Sequence, residues 1–205
     1  MRSCRVMVAT LGGAIFLGGC ATLSVTPLQH PKPAAARQPV TLGILAAGER
    51  LRESLSDPDD SVVKEASGTL FERVIVLPPE ARFKSAEELL ASYGTDYVAA
   101  INISDVNVNG NLNPYWFVSL PLFFFKPLAP IVTFEATASL ESTLRETRSG
   151  TVIMQKEVSA TVTDHFSPME PQVKVRKLIS LGINNAMVGL FGDFQQKIAG
   201  LKQKN

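Results

Sequence analysis

Residues 133–162 read TFEATASLESTLRETRSGTVIMQKEVSATV, and their alternation of apolar and polar side chains is the clearest sign of the fold. The apolar positions are Phe134, Ala136, Ala138, Leu140 and Leu144 in the first half, and Val152, Met154, Val158, Ala160 and Val162 in the second. Arg148-Ser149-Gly150 supplies a turn between the two halves. This pattern predicts a β-hairpin in an antiparallel sheet with one face exposed to water.

Three further strands are predicted before this hairpin, over residues 40–45, 74–77 and 97–108. In the last of them the apolar side chains change parity, from Ala99, Ile101 and Ile103 to Val106 and Val108. A strand has a period of two, so its parity changes only at a twist, bend or bulge. We therefore expect an irregularity near Ser104-Asp105, where the strand leaves the sheet.

Two short helices are predicted between these strands. The first runs from the acidic cluster at Asp57 through Glu72, because acidic side chains stabilise the N-terminus of a helix. The second follows Ser85 and Glu88, which have the spacing of a capping box, and ends at Gly94. Both helices would connect strands of the same sheet.

Residues 171–201 predict one long amphipathic helix lying on the sheet. Apolar side chains recur there at spacings of three and four, at Ile179, Ile183, Met187, Leu190, Phe194, Ile198 and Leu201. The expected fold is α+β: a mainly antiparallel sheet of four to five strands, two short helices, and the long C-terminal helix packed on one face. Residues 40–205 would form this single globular domain.

The segment before this domain predicts export and lipidation. A basic start and the apolar run of residues 6–17 have the pattern of a signal peptide covering residues 1–19. The run ends in Leu17-Gly18-Gly19-Cys20, which resembles the lipobox of bacterial lipoproteins. The resemblance implies cleavage before Cys20 and covalent lipid on its thiol, and several acyl chains make such an attachment stable. Ala21 stands where Asp would resemble an inner-membrane retention signal, so the outer membrane is favoured.

Residues 20–39 are predicted to tether the domain to the lipid, because four prolines and an Ala34-Ala35-Ala36 run favour extended backbone. Loss of residues 1–19 also removes Cys4, so Cys20 is the only remaining thiol and serves as the anchor. The mature chain keeps 18 basic and 19 acidic residues, since two arginines are lost with the signal peptide. This balance provides no field to attract nucleic acid or an anionic lipid surface.

Two stretches resemble a known family: LLASYGTDYV at residues 89–98 and ASLESTLRETRSGTV at residues 138–152. The first is similar to the helix-Gly-x-Asp-Tyr-strand passage, and the second to the strand-turn-strand passage, of lipoproteins related to the curli secretion channel subunit and the TolB amino-terminal domain. The resemblance covers most of residues 40–200. It implies a role in envelope assembly or secretion, as a ring at the outer membrane or as a periplasmic activator. This chain is shorter than the channel subunit and has one candidate membrane-inserting segment, which does not favour a pore.

That segment is the apolar loop of residues 114–132, PYWFVSLPLFFFKPLAPIV. Its internal prolines exclude a continuous transmembrane helix and a central strand. Three interpretations remain open: the loop contacts the membrane interface, which Trp and Tyr favour, it docks on another subunit, or it folds back and completes the core. The candidate contact residues are Tyr115, Trp116, Phe117, Leu120, Leu122, Phe123, Phe124 and Phe125.

No catalytic, metal or cofactor site is predicted. His30 and His165 have no paired spacing, and the mature domain has no cysteine to join them as a metal ligand. Phosphate-binding loops and nucleophile elbows are absent from the mature sequence. Glu135 and Glu141 share a strand face but lie about 20 Å apart at strand rise, too far for paired acid–base catalysis. The lipid on Cys20 is the expected non-protein group, and no small-molecule substrate is evident.

The sequence therefore predicts a non-enzymatic, periplasm-facing outer-membrane lipoprotein that belongs to an envelope assembly or secretion complex. Its expected partners are the membrane, through the anchor, and another protein or a second copy of the chain. One alternative is a monomeric periplasmic activator or scaffold of a cell-envelope enzyme. Another is a hydrolase of envelope polymers, for which the sequence offers no catalytic constellation.

Overall fold

The computed structural model describes residues 29–30, 33, 36–56, 62–112, 132–166 and 171–202. Its strands are β1 (Gln38–Ala47), β2 (Phe71–Val76), β3 (Tyr97–Leu112), β4 (Val132–Glu146) and β5 (Val152–Phe166). Its helices are α1 (Glu49–Ser56), α2 (Val62–Thr69), α3 (Ala86–Tyr93) and α4 (Pro171–Lys202), with a 3₁₀ helix at Pro79–Phe83. The predicted α+β fold is confirmed.

The strands form one sheet in the order β2-β1-β3-β4-β5. β1 is parallel to both β2 and β3, whereas β3–β4 and β4–β5 are antiparallel. Parallel neighbours require a crossover, and the short helices supply one between β1 and β2 and another between β2 and β3. The sheet is therefore mixed, and its two longest ladders are the antiparallel ones.

β3 carries the predicted irregularity but does not leave the sheet. Its register with β4 shifts beside Ser104, which is the extra residue of a bulge. Beyond the bulge, Val106 and Val108 lie opposite alanines of β4 that face the core. The expectation that the strand departs here is wrong, because the bulge corrects the parity and pairing continues to Leu112.

The helical region between β1 and β2 also differs from the prediction. Two helices, α1 and α2, replace the single helix expected to reach Glu72, and α2 ends at Thr69. Gly68 adopts a φ of +102°, a left-handed conformation that glycine tolerates and that breaks the helix. Phe71 is fully buried, so the packing of β2 overrides the helical pattern. The acidic cluster at residues 57–60 lies outside the described residues.

α4 lies along β4 and β5, as predicted, and encloses the main core. Gly182 permits close contact, since a Cβ there would lie 3.4 Å from an alanine of β4 and 3.6 Å from a valine of β5. Nearer the C-terminus, Phe191 packs edge-on against Phe71 and Phe194, with ring centroids 6.4 Å apart in both pairs. All three rings are fully buried.

α1 and α2 cover α4 on the side away from the sheet. Ser54 Oγ of α1 donates a hydrogen bond of 2.9 Å to Asn184 Oδ1 of α4, and both side chains are buried. Residues 182–187 are consequently buried on every side of the helix. The middle of α4 is therefore a core helix, and a polar face persists only toward its two ends.

The opposite face of the sheet has a much smaller cover. The 3₁₀ helix and α3 pack on β1, β2 and the start of β3, where they bury Leu77, Ala81, Leu89 and Val98. α3 has the predicted capping box, in which Ser85 Oγ accepts from Glu88 N and Glu88 Oε2 accepts from Ser85 N. Gly94 ends the helix with a φ of +63°. We call the uncovered remainder, on β3, β4 and β5, the open face.

Candidate functional site

The predicted contact loop starts and ends at one point of the sheet. Leu112, the last residue of β3, pairs with Val132, the first residue of β4, and Val132 in turn pairs with Phe166 of β5. We call these three residues the hairpin end. Cys20 and the loop side chains Tyr115, Trp116, Phe117, Leu120, Leu122, Phe123, Phe124 and Phe125 lie outside the described residues, so their roles stay predictions.

The hairpin end lies far beyond β1 and β2. The last pair between β1 and β3 joins Ala47 to Asn102. The rest of β3, from Ile103 to Leu112, pairs only with β4 among the described strands. At about 3.3 Å per residue, this extension is about 30 Å long. Three antiparallel strands therefore carry the ends of the loop away from the body of the sheet.

A small apolar cluster lies near the hairpin end. Ala136, Val162 and Leu178 are buried there, and half-buried apolar side chains surround them: Val108, Phe134, Val175, Ile179 and Leu181. Gly110 makes room for the Phe134 ring, because a Cβ at this position would lie 2.9 Å from Phe134 Cε1. The cluster thus presents partly exposed apolar surface beside the point where the loop emerges.

A groove of about 790 Å³ lies beside this cluster, between α1 and the first turns of α4. Its wall includes Arg50 and Glu53 of α1, and Arg176, Lys177, Ile179 and Leu181 of α4. We call it the basic groove, because three of its side chains are cationic and one is anionic. The near-neutral balance of the whole chain does not reveal this local excess of positive charge.

The open face is polar from Asn102 to the hairpin end. Its side chains pair across strands, as in Thr137 with Thr161 at 3.0 Å and Ser139 with Ser159 at 2.7 Å. The remaining positions on this part of β4 and β5 include Glu135, Glu141, Gln155, Glu157 and Thr163. An apolar loop that folded back here would cover polar groups without burying apolar ones, which costs free energy.

The end of the sheet opposite the hairpin end is closed by hydrogen bonds around Asp96. The Asp96 carboxylate accepts a bond of 2.8 Å from Thr41 N, and its backbone joins β1 and the β4–β5 turn through Thr41 O and Thr147 N. We call this the closed end. Burial raises the pKa of the neighbouring Tyr97 hydroxyl, and the carboxylates of Glu146 and Asp96 raise it further. The hydrogen bonds of Asp96 give it a structural role at this end of the sheet.

A second groove, of about 550 Å³, lies beside α3, on the part of the sheet that α3 and the 3₁₀ helix cover. Leu45, Leu77 and Val98 contribute apolar walls, and Arg82, Lys84 and Glu141 contribute charge. Phe83, at the end of the 3₁₀ helix, is 83% exposed, and the Arg82 guanidinium lies 5.6 Å from its ring centroid. The groove has the shape of a contact surface for an extended or amphipathic segment.

The two histidines lie in different places. His165 Nδ1 is 2.8 Å from Thr133 Oγ1 near the hairpin end, whereas His30 Nδ1 is 3.0 Å from the Glu65 carboxylate of α2. Over the described residues, no three side chains of His, Cys, Asp and Glu converge as a metal site would require. The same part of the chain contains no helix long and apolar enough to span a bilayer.

The residues before β1 contact the domain, although the sequence placed them in the tether. Gln38 already belongs to β1, and Gln195 Nε2 of α4 lies 3.4 Å from Ala36 O. Further back, Gln29 N donates a bond of 2.8 Å to Asn185 Oδ1 of α4. Gln29 and Ala36 therefore contact α4 at two points that are ten residues of helix, or about 15 Å, apart. Gln29 contacts the point that lies nearer the hairpin end.

No protein-family model matches the chain, and no curated protein matches it. Solved structures similar to it include a DUF330 protein from Xanthomonas campestris, at 13% identity and a TM-score of 0.45, covering 88% of this chain and 96% of that one. A lipoprotein from Neisseria meningitidis is 11% identical, with a TM-score of 0.37 and coverage of 74% and 99%. A minor lipoprotein from Acinetobacter baumannii is 11% identical, with a TM-score of 0.37 and coverage of 79% and 94%.

The similar structures thus include bacterial lipoproteins. Identities of 11–13% with TM-scores below 0.5 do not establish a shared family or function. The resemblance to the curli channel and TolB group stays a prediction.

Sequence reasoning missed the basic groove, because Arg50 is far from Arg176 and Lys177 along the chain. One signal was available in the sequence. Lys174, Arg176 and Lys177 fall in the first two turns of α4, and the first turn has no acidic residue. This cluster of cations on one short stretch of the helix was the available signal.

Proposed function

We propose that this chain is an outer-membrane lipoprotein, anchored through lipid on Cys20, that acts without catalysis by contacting the membrane and a protein partner in an envelope assembly or secretion complex. The observation that carries the proposal is the pairing of Leu112 with Val132 at the hairpin end. It gives the apolar loop one point of origin, on three strands that project about 30 Å beyond β1.

The open face supports an outward role for the loop. Folding back over the open face of β3, β4 and β5 would place Trp116 and its neighbours on Thr, Ser, Asn and Glu side chains. On the other face α4 already covers β4 and β5, which leaves only the small, partly exposed apolar cluster near the hairpin end. Apolar rings gain free energy only where they leave water for apolar surroundings. The membrane interface, or an apolar surface on a partner, provides such surroundings at the hairpin end.

The path of the residues before β1 supports a common side for the anchor and the loop. Gln29 lies beside Asn185, and it is the ninth residue after Cys20. Extended backbone of this length reaches about 30 Å. The distance along the sheet from the level of Asn185 to Val132 is about 25 Å, at ordinary strand and helix rise. Lipid on Cys20 can therefore enter the membrane that the hairpin end faces.

A monomeric activator or scaffold of a cell-envelope enzyme is the second candidate function. The groove beside α3 favours it, because this concave surface lies at the closed end and would point away from the membrane. A partner bound there would be held at the height of the closed end. In this case the lipid and the tether only deliver the domain.

The anchor is tested by expressing the full chain and a Cys20→Ser variant in a Gram-negative host and separating the inner and outer membranes on a density gradient. We expect the parent chain in the outer-membrane fraction, and the variant in the soluble periplasmic fraction or uncleaved. A Cys4→Ser variant is the matched control and should fractionate as the parent does. Outer-membrane recovery of a cleaved Cys20→Ser chain would contradict the proposal.

A further inference from the structure

The cations of the basic groove have no anionic partner among the described residues. Arg50 comes from α1, and Arg176 and Lys177 come from α4. Glu53 lines the same groove but forms no ion pair with them, whereas elsewhere on α4 Asp193 binds Lys156 at 2.6 Å. Two separate helices thus direct unpaired positive charge into one concave surface.

Two of these cations lie close to the N-terminus of α4. Arg176 and Lys177 lie in the second turn of a 32-residue helix whose N-terminus carries partial positive charge. No acidic side chain occupies the first turn to offset it. Arg50 of α1 lines the same groove, so cations from two helices share it. This excess of positive charge would complement an anion.

The part of the groove formed by Arg176 and Lys177 lies near the hairpin end. β5 ends at Phe166 and α4 begins at Pro171, so at most four residues separate the start of the helix from the hairpin end. Arg176 and Lys177 follow within about 10 Å along the helix axis. This distance is comparable to the Debye length at physiological salt, so charges here act on a surface that the hairpin end touches.

We infer that the basic groove binds the phosphate of a phospholipid headgroup in the leaflet that holds the anchor. The inference rests on the proposed function and names the chemistry that its membrane contact recognises. A volume of about 790 Å³ accommodates a phosphate diester with part of its glycerol. Ile179 and Leu181 in the same wall provide apolar surface for the glycerol and the first methylenes. The sequence analysis expected no attraction to anionic lipid, because the net charge of the whole chain does not show where positive charge is concentrated.

The test compares binding to two kinds of vesicle. The mature chain, residues 20–205 with Cys20→Ser, is titrated with two kinds of vesicle. One is phosphatidylcholine alone, and the other contains roughly 30% phosphatidylglycerol, which gives the surface a negative potential. We expect tighter binding to the anionic vesicles. Arg176→Ser/Lys177→Ser should weaken that binding by about 10- to 30-fold, and Arg50→Ser by about 5-fold, at the strength typical of surface cations near anionic lipid.

The matched control removes the same charge from the other end of the same helix. Lys197→Ser/Lys202→Ser should bind anionic vesicles as the parent does, because these residues lie toward the closed end. Equal weakening by the control pair would overturn the inference in favour of general charge attraction. So would parent binding that does not depend on phosphatidylglycerol. Thermal unfolding confirms that every variant is folded before its binding is compared.

Inorganic phosphate distinguishes a lipid headgroup from a free anion. Inorganic phosphate at roughly 10 mM is added to the vesicle-bound chain. Chloride at equal ionic strength is the reference, so that general screening is the same in both samples. Retention on the vesicles supports the headgroup assignment. Release by phosphate but not by chloride would assign the groove to the free ion and overturn it. Failure of the proposed function gives a different result, because the parent chain would then not bind neutral vesicles either.

Discussion

The two ends of the sheet are built differently. At the closed end, a short turn joins β4 to β5, and Asp96 ties that turn to β1 through the bonds to Thr41 and Thr147. At the hairpin end, β1 and β2 do not extend alongside β3, the apolar cluster around Leu178 is only partly covered, and the cations of the basic groove form no ion pair with the described residues. Hydrogen bonds around Asp96 close one end of the sheet, whereas a partly exposed apolar cluster and an excess of positive charge lie near the other.

We interpret this contrast as a difference in role: the closed end stabilises the fold, and the hairpin end contacts other molecules. An excess of positive charge and half-buried apolar side chains offer contacts that a membrane or a protein partner can complete. Their common location at the hairpin end, together with the path of Gln29 toward it, is the reason to regard that end as the contact surface.

The largest expected effect comes from truncating an aromatic ring in the main core. Phe191→Ala should lower the free energy of unfolding by about 3–5 kcal/mol, because the fully buried ring leaves a cavity between Phe71 and Phe194. Phe134→Ala near the hairpin end should cost about 1–2 kcal/mol, because its ring is only half-buried. Urea unfolding measures both. Equal losses would contradict the difference between the two ends.

A smaller loss is expected from the hydrogen bonds of the closed end. Asp96→Ala leaves Thr41 N without its 2.8 Å acceptor and should lower the free energy of unfolding by about 1–3 kcal/mol. Asp105→Ala is the matched control, since this carboxylate is exposed at the β3 bulge, and should change stability by about 0.5 kcal/mol or less. The same urea series applies, and a null result for Asp96→Ala would remove the proposed role of the closed end.

The parts of the fold that depend on neighbouring residues were predictable from the sequence. A local sequence pattern identified four features: the β4–β5 hairpin, the capping box at Ser85, the parity change at Ser104 and the long α4. The orientation and order of the first strands could not be predicted from the sequence, because the parallel pairs of β1 connect segments that are far apart in the chain. The break at Gly68 was also missed, since burial of Phe71 outweighs the helical pattern before it.

The candidate site divides in the same way. Cys20 and the loop are compact sequence features, so they were identified without the structure, and they lie outside the described residues. The basic groove needed the structure, because it forms only where α1 and α4 meet. The contact between Gln29 and Asn185 likewise needed the structure, since a proline-rich composition predicts a free tether and carries no information on where it docks.

The loop itself should have the smallest effect on stability and the largest effect on membrane contact. Trp116→Ser/Phe124→Ser should change the free energy of unfolding by about 0.5 kcal/mol or less, as expected for side chains outside the core. Phe83→Ser is the control for removal of an exposed aromatic ring, since Phe83 is 83% exposed beside α3 and remote from the hairpin end.

The most direct test is binding of the lipid-free mature chain to phosphatidylcholine vesicles, measured for the parent, Trp116→Ser/Phe124→Ser and Phe83→Ser after each is shown to be folded. We expect the parent and Phe83→Ser to bind alike and the loop variant to remain folded but lose binding by about tenfold or more, since two buried aromatic rings contribute several kcal/mol. A loop variant that unfolds, or that binds as the parent does, would contradict the assignment of the hairpin end as the membrane contact.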